Sequence, residues 1–326
     1  MGAGDFLRTG AETPLTGHYL MAGAAGSITT NSNSILAAAR DCFDSSEKPS
    51  IQPRLQMRFW VDPKGTTRHP WPKPYFRGQD HLIFAGFDNQ NSILVDLKCR
   101  RALGRFSPAM GADGSYWKTV VFPVLISIMG GTVGITELHC GCVSQKGRGL
   151  LLVGPSGSGK STIALALAQV GFDYLTDDRT YISSRGGSIT AWGLPTFLKL
   201  RSDATKWFGE LGGLARSMGE DQKRDLRIDP AQELGVHRLR CCQPNEIIFL
   251  HRQNHPGFDM VPMPRAEAAL QLEQDLIAEA PEVVEMQRGM IAKLVARPCW
   301  RLGYGGSPHV VAQQFSRRGS SLPVRP

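Results

Sequence analysis

The fold of this chain can be inferred from one stretch of its sequence, Leu150-Leu151-Leu152-Val153-Gly154-Pro155-Ser156-Gly157-Ser158-Gly159-Lys160-Ser161. Its last eight residues match the pattern G-x-x-x-x-G-K-[ST]. The four apolar residues before them predict a buried parallel strand, and the Ala- and Leu-rich stretch from Lys160 to Val170 predicts a helix. Glycines let backbone N–H groups approach a phosphate closely, and a helix N-terminus adds partial positive charge. The stretch therefore predicts a phosphate-binding loop for ATP, with Lys160 at the terminal phosphates and the Ser161 hydroxyl on Mg²⁺.

Two acidic residues, Asp177 and Asp178, follow the next short apolar segment. A helix of about three turns and a second strand bring the chain back to the carboxyl ends of the sheet, where ligands of α/β proteins collect. One carboxylate can hold Mg²⁺, and the other can accept a proton from an attacking hydroxyl. A solvated turn is the alternative, and the neighbouring phosphate loop favours the functional interpretation.

His139 lies upstream, in the segment Ile135–His139. A lone histidine is more often a core or surface residue than a catalytic one. Taken alone, it therefore indicates little.

Together, His139, the loop, Gly171 and the Asp177–Asp178 pair resemble the catalytic core of HPr kinase/phosphorylase. They resemble still more the smaller HPr-kinase-related proteins, which include kinases of lasso-peptide gene clusters. In that family a histidine precedes the loop and two aspartates follow it at these distances. The resemblance implies a P-loop fold like that of phosphoenolpyruvate carboxykinase, with Asp177 as the base facing an acceptor serine. Asp178 would help hold the metal with Ser161, and His139 would assist at the phosphates. A looser likeness extends to the strand-like segment Trp300–Gly305.

The sequence departs from the parent family at two places. Thr162 stands where the family usually has Glu, and the glycine-rich downstream signature is missing between residues 184 and 245. Faint candidates for that signature are Gly193-Leu194-Pro195 and Glu233-Leu234-Gly235-Val236. These departures predict a one-way kinase without phosphorylase activity, acting on a substrate other than HPr. The cations expected near the transferred phosphate are Arg179, Arg201, Arg224 and Arg227.

A chain of 326 residues predicts two compact domains. We expect a disordered N-terminus (1–16), a smaller β-rich α/β accessory domain (17–113), the P-loop kinase domain (114–312) and a flexible tail (313–326). The kinase domain is predicted as an α/β unit with a mostly parallel or mixed sheet and flanking helices. The predicted elements are strands His18–Met21, Leu55–Val61, His81–Phe87 and Ser92–Leu97, and helices Ser34–Phe43, Ser115–Met129, Arg265–Ala278 and Pro281–Arg297.

Composition excludes several classes of protein. The net charge is +8, but no long basic run supports nucleic-acid binding. The seven cysteines lack zinc or thioredoxin spacing, which predicts reduced thiols in a cytoplasm. His251 and His255 precede Pro256 and predict a surface loop rather than a metal pair. The uncharged stretch Thr119–Thr136 contains Pro and Gly, so we expect a buried helix and a strand rather than a membrane span. The N-terminus shows no signal peptide.

The sequence thus predicts an ATP- and Mg²⁺-dependent kinase that phosphorylates a serine of a protein or peptide. No nucleic-acid or membrane partner is expected, and homo-oligomerisation stays open. The alternatives are a nucleotide-sensing or hydrolytic P-loop module without transfer, and a small-molecule kinase.

Overall fold

A computed structural model of the chain describes residues 11–45, 53–211, 225–276 and 280–320. The chain divides into two compact units, Met1–Ile135 and Thr136–Pro326. The sequence placed the division at residue 113, but the helical stretch Gly114–Val133 lies within the first unit. Trp117 packs against Phe59 of that unit's sheet with ring centroids 5.0 Å apart, and burial of such aromatic side chains holds the stretch there.

The first unit contains an eight-stranded sheet with the order β3-β1-β2-β4-β8-β7-β6-β5. Neighbouring strands are parallel at β2–β4 and β4–β8 and antiparallel elsewhere. The strands are β1 Leu15–Met21, β2 Ala24–Thr30, β3 Asp44–Ser45, β4 Leu55–Val61, β5 Tyr75–Gln79, β6 Leu82–Gly86, β7 Ser92–Asp96 and β8 Arg101–Phe106. The helices are α1 Asn33–Cys42, α2 Pro108–Ala112, α3 Gly114–Tyr116 and α4 Phe122–Met129, with a π-helical turn Trp117–Val121 and a 3₁₀ turn Gly130–Val133. The β-rich α/β prediction for this part of the chain agrees with this architecture.

One face of this sheet is buried and the other is more open. Phe59, Val95 and Phe106 are buried, whereas Trp60 and Leu94 are only half-buried. This alternation follows from the two-residue period of a strand.

Residues 1–10 of the predicted disordered N-terminus lie outside the described residues, and β1 already begins at Leu15. The helical stretch Gly114–Val133 is long and apolar enough to cross a membrane by length and composition alone. More than half of its 18-residue apolar window is buried inside the protein. The cellular compartment stays a prediction.

The second unit contains a nine-stranded sheet with the order β12-β10-β11-β17-β14-β13-β9, to which β19 and β18 add beside β17. The strands are β9 Thr136–Leu138, β10 Cys140–Gln145, β11 Arg148–Val153, β12 Asp173–Thr176, β13 Thr180–Arg185, β14 Ser188–Trp192, β17 Cys241–Arg252, β18 Gly257–Pro262 and β19 Cys299–Gly305. A separate two-stranded sheet pairs β15 Leu198–Arg201 with β16 Asp225–Ile228.

The large sheet of the second unit is mixed, which is one of the two arrangements predicted and differs from a mostly parallel sheet. Among its described strands, only β11–β17 and β17–β19 are parallel pairs. Two tight hairpins explain the difference, because their two-residue turns force antiparallel pairing. Lys146-Gly147 joins β10 to β11 and Gly186-Gly187 joins β13 to β14, and all four residues have positive φ angles.

Helices pack on both sides of this sheet. They are α5 Lys160–Gln169, α6 Pro230–Leu234, α7 Arg265–Glu273, α8 Pro281–Leu294 and α9 Pro308–Ser320. The helices α5 and α9 share one hydrophobic core, and α7 and α8 belong to a second core. The tail predicted from residue 313 is largely helical, because Phe315 is buried in the first of these cores. Residues 321–326 lie outside the described residues.

Candidate functional site

The glycine-rich loop Gly154–Gly159, the predicted phosphate loop, lies between β11 and α5, as the sequence predicted. Gly157 and Gly159 have φ angles of 83° and 93°, in the left-handed region that favours glycine. A Cβ atom on Gly159 would lie 2.0 Å from the hydroxyl oxygen of Tyr304. Glycine at this position therefore satisfies both the backbone conformation and the close approach of the tyrosine.

Three parallel strands bring distant parts of the chain to this loop. β11, β17 and β19 are neighbours, so their carboxyl ends meet at one edge of the sheet. β11 leads into the loop, β17 ends at Arg252, and β19 carries Tyr304 near its end. The Tyr304 hydroxyl donates a hydrogen bond of 2.5 Å to the carbonyl oxygen of Ser158. Burial raises the pKa of Tyr304 to about 12, so the hydroxyl stays a donor at neutral pH.

Lys160 folds back over its own loop. Its Nζ donates to the carbonyl oxygens of Gly154 at 2.6 Å and Pro155 at 3.4 Å. Burial lowers the pKa of the Lys160 ammonium, and the nearby Asp178 carboxylate works in the opposite direction. The cation is thus held where phosphate oxygens can replace the two carbonyl acceptors.

Asp177 is almost completely buried, with 1% of its surface exposed. Its Oδ1 accepts a 2.8 Å hydrogen bond from the Tyr174 hydroxyl, and its Oδ2 faces the backbone N–H of Lys199 at 3.4 Å. A side-chain hydrogen bond also links it to Ser161 of the loop. Burial raises the pKa of Asp177, while the hydrogen bonds from Ser161 and Tyr174 act to lower it. Hydrogen bonds therefore hold the Asp177 carboxylate in place next to the hydroxyl of Ser161.

Asp178 has a different environment although it is the next residue. Its side chain is 40% exposed, and its Oδ1 lies 3.5 Å from His139 Nε2. Arg179 Nε lies 3.9 Å from Asp178 Oδ2, and Arg179 also pairs with Glu137. His139 and Asp178 thus form a partly exposed pair beside the phosphate loop.

A single pocket contains most of the predicted site residues. Its wall includes His139, Asp177, Asp178, Thr162 and several residues that the sequence did not indicate. Of the predicted loop residues, those that line it are Ser156, Gly157, Gly159, Lys160 and Ser161, whereas Gly154, Pro155 and Ser158 do not. The unpredicted lining residues include Lys199, Leu200, Ala204, Trp207, Arg252, Tyr304, Gly306 and Pro308.

The predicted arginines are mostly elsewhere. Arg201 lines the pocket, whereas Arg179 pairs with acids beside it and Arg227 lies on β16 opposite Lys199. Arg224 lies outside the described residues. Arg252 carries no charged partner in the part of the chain that the structure describes. It could have been found from the apolar segment Glu246–Leu250, which is typical of a strand, by following that strand to its carboxyl end.

The donors present suit Mg²⁺ rather than a tightly caged metal. No group of three or more His, Cys, Asp or Glu side chains within the described ranges could hold a metal ion. Mg²⁺ usually takes one or two protein oxygens and completes its shell with water and phosphate. The Ser161 hydroxyl and the carboxylates of Asp177 and Asp178 supply such oxygens. His251 and His255 are exposed, and all seven cysteines are free thiols.

No protein-family model and no curated protein matches the chain. Among solved structures, the chain is similar to the Hpr(Ser) kinase/phosphatase from Coxiella burnetii, with 10% sequence identity and a TM-score of 0.32. The match covers 57% of this chain and 97% of that chain. A likeness this distant does not transfer an activity or a residue's role to this protein.

Proposed function

We propose that the second unit binds ATP with Mg²⁺ and transfers the terminal phosphoryl group to a serine hydroxyl of a protein or peptide. The observation that carries this proposal is the pocket that joins the phosphate loop, the Asp177–Asp178 pair and His139. Phosphoryl transfer requires positioning, charge neutralisation and an acceptor for the hydroxyl proton. A pocket used only for sensing a nucleotide does not need the last of these.

In this proposal the loop N–H groups and Lys160 hold the phosphates. Lys160 exchanges its two carbonyl acceptors for phosphate oxygens, a charge-assisted contact. Ser161 holds Mg²⁺, and Asp177 orients the Ser161 hydroxyl from behind. The bound Mg²⁺ would neutralise negative charge on the phosphates. Trp207 gives the pocket a half-buried aromatic wall against which the adenine base can pack.

The geometry favours an exchange of the roles first assigned to the two acids. A base must reach the acceptor hydroxyl, and the buried Asp177 already engages both of its oxygens. Asp178 is partly exposed and stands beside His139, so it can accept the proton while the imidazole supports it. We therefore assign Asp178 as the base and Asp177 as the carboxylate behind the metal-binding serine.

Two cations complete the proposed site. Arg252 comes from the end of β17 and Lys199 from β15, and both line the pocket. Cations in such positions stabilise charge that develops on a transferred phosphoryl group. They add to Arg201, the predicted arginine that lines the same pocket.

The test combines nucleotide binding with transfer from radiolabelled ATP to polypeptides encoded beside this chain. Lys160→Ala should weaken ATP binding at least about tenfold, since it removes a charge-assisted contact. Asp178→Asn should leave ATP binding near the wild-type value and lower transfer by about two to four orders of magnitude. Asp177→Asn should instead raise the Mg²⁺ concentration that transfer requires, because the variant no longer orients the Ser161 hydroxyl as the carboxylate does.

The outcomes separate the alternatives. Unchanged ATP binding in Lys160→Ala contradicts the nucleotide site itself. ATP hydrolysis without labelling of any polypeptide favours the hydrolytic or sensing module. Labelling of a metabolite instead favours a small-molecule kinase.

A further inference from the structure

The β5 strand is an open edge of the eight-stranded sheet in the first unit. Within the described residues β5 pairs with β6 alone, so one row of its backbone N–H and C=O groups has no partner strand. All five residues of Tyr75–Gln79 are exposed. Such an edge is a template for another extended strand.

The edge carries large apolar side chains on both of its faces. Tyr75 is 51% exposed, Phe76 47% and the neighbouring Leu82 38%. Tyr75 and Phe76 are consecutive and therefore point to opposite faces of the sheet. Single exposed apolar residues are ordinary, but three on one edge hairpin indicate a contact surface.

The edge is also basic. Arg77 lies at the centre of β5 and has no acidic partner among the described residues. On the open face of the sheet, the residues directly opposite Arg77 on the successive neighbouring strands are Phe84, Leu94, Leu103 and Arg58. The partner strand should therefore carry acidic side chains opposite Arg77.

Pairing with a second copy of this chain is disfavoured by the same residue. Antiparallel pairing of two β5 strands over their full length places Arg77 opposite Arg77, and like charges directly opposite each other are destabilising. A nucleic acid cannot use the free backbone row, because it does not present alternating amide donors and acceptors at strand spacing.

We propose that β5 binds an extended acidic segment of a polypeptide, which becomes the next strand of the sheet. Resting on the proposed function, this polypeptide is the phosphate acceptor. The docking itself is measurable without ATP. Its failure can therefore be distinguished from failure of the kinase proposal.

The probe is a fluorescein-labelled peptide of about ten residues in which valine and glutamate alternate, titrated with the full chain and followed by anisotropy. Arg77→Glu should weaken binding at least about fivefold, as expected when an opposite-charge pair becomes a like-charge pair. Lys98→Glu is the matched control, since Lys98 is an exposed cation in the turn between β7 and β8. That variant should bind like the wild type, and both variants should keep wild-type ATP affinity.

A second pair of probes tests the backbone contacts. The same peptide with every residue N-methylated should not bind, because it has no backbone N–H group left to donate to the edge. Equal binding of the N-methylated peptide, or of a valine–lysine peptide, would overturn the proposal. So would displacement of the probe by single-stranded DNA, or a dimer in sedimentation that Phe76→Ser dissociates.

Discussion

The Gly159→Ala substitution tests how Tyr304 shapes the phosphate loop. The new Cβ would lie 2.0 Å from the Tyr304 hydroxyl oxygen, and the next nearest atom, Tyr304 Cζ, is 3.4 Å away. The clash is therefore with a single oxygen. Tyr304→Phe removes this atom and leaves an ordinary contact with the ring.

The cost of the substitution has two separable parts. A left-handed φ costs an alanine about 1–2 kcal/mol, and forcing apart a packed contact costs about 1–3 kcal/mol more. Gly159→Ala should therefore destabilise the second unit by about 2–5 kcal/mol. Tyr304→Phe alone should cost about 0.5–1.5 kcal/mol for its hydrogen bond to Ser158. In the double variant the steric part disappears, which predicts a favourable coupling of about 1–3 kcal/mol.

The assay is urea unfolding of the four proteins without nucleotide, followed by circular dichroism. Gly157→Ala is the matched control, because Gly157 has a φ of 83° but no atom within 4 Å of the new Cβ. Gly157→Ala should lower the free energy of unfolding only by the cost of the left-handed φ, about 1–2 kcal/mol. Equal losses in Gly157→Ala and Gly159→Ala, or additive effects of Gly159→Ala and Tyr304→Phe, would refute the proposed contact.

Four further predictions concern the pocket. Arg252→Ala should lower transfer at least about tenfold while ATP affinity changes less, and Arg148→Ala, an exposed cation at the start of β11, should change neither. Trp207→Ala should weaken ATP binding by about fivefold to tenfold in calorimetry, because it removes the aromatic wall; wild-type affinity contradicts the adenine position. Burial raises the pKa of Asp177 in the folded state, so native stability falls as pH rises through that pKa. Asp177→Asn should therefore gain in melting temperature relative to wild type as the pH rises above the ordinary pKa of an aspartate, about 4, and a constant difference would count against the buried charge. Thr162 stands where HPr kinase/phosphorylases usually have Glu; on the proposed one-way kinase activity, phosphorylated product incubated with Mg²⁺ and inorganic phosphate should release no pyrophosphate.

Much of the site could be predicted because its central part is continuous in the sequence. The strand, the loop and the helix from β11 to α5 follow one another directly, and their glycine and apolar patterns are local signals. The Asp177–Asp178 pair was found from its position after the next strand. Pairing between strands was harder to predict, since the hairpin turns at Gly147 and Gly187 decide it.

The residue order alone predicted a glycine-rich loop between a strand and a helix, with two acids and a histidine near it. The contact of Tyr304 with this loop and the entry of Arg252 into the same pocket depend on the tertiary structure, because strands far apart in the chain become neighbours through sheet pairing. It also separated the two acids. Asp177 and Asp178 are adjacent in the sequence, but successive side chains leave the end of a strand in different directions. One carboxylate is therefore buried against Tyr174 and Ser161, while the other faces the pocket beside His139.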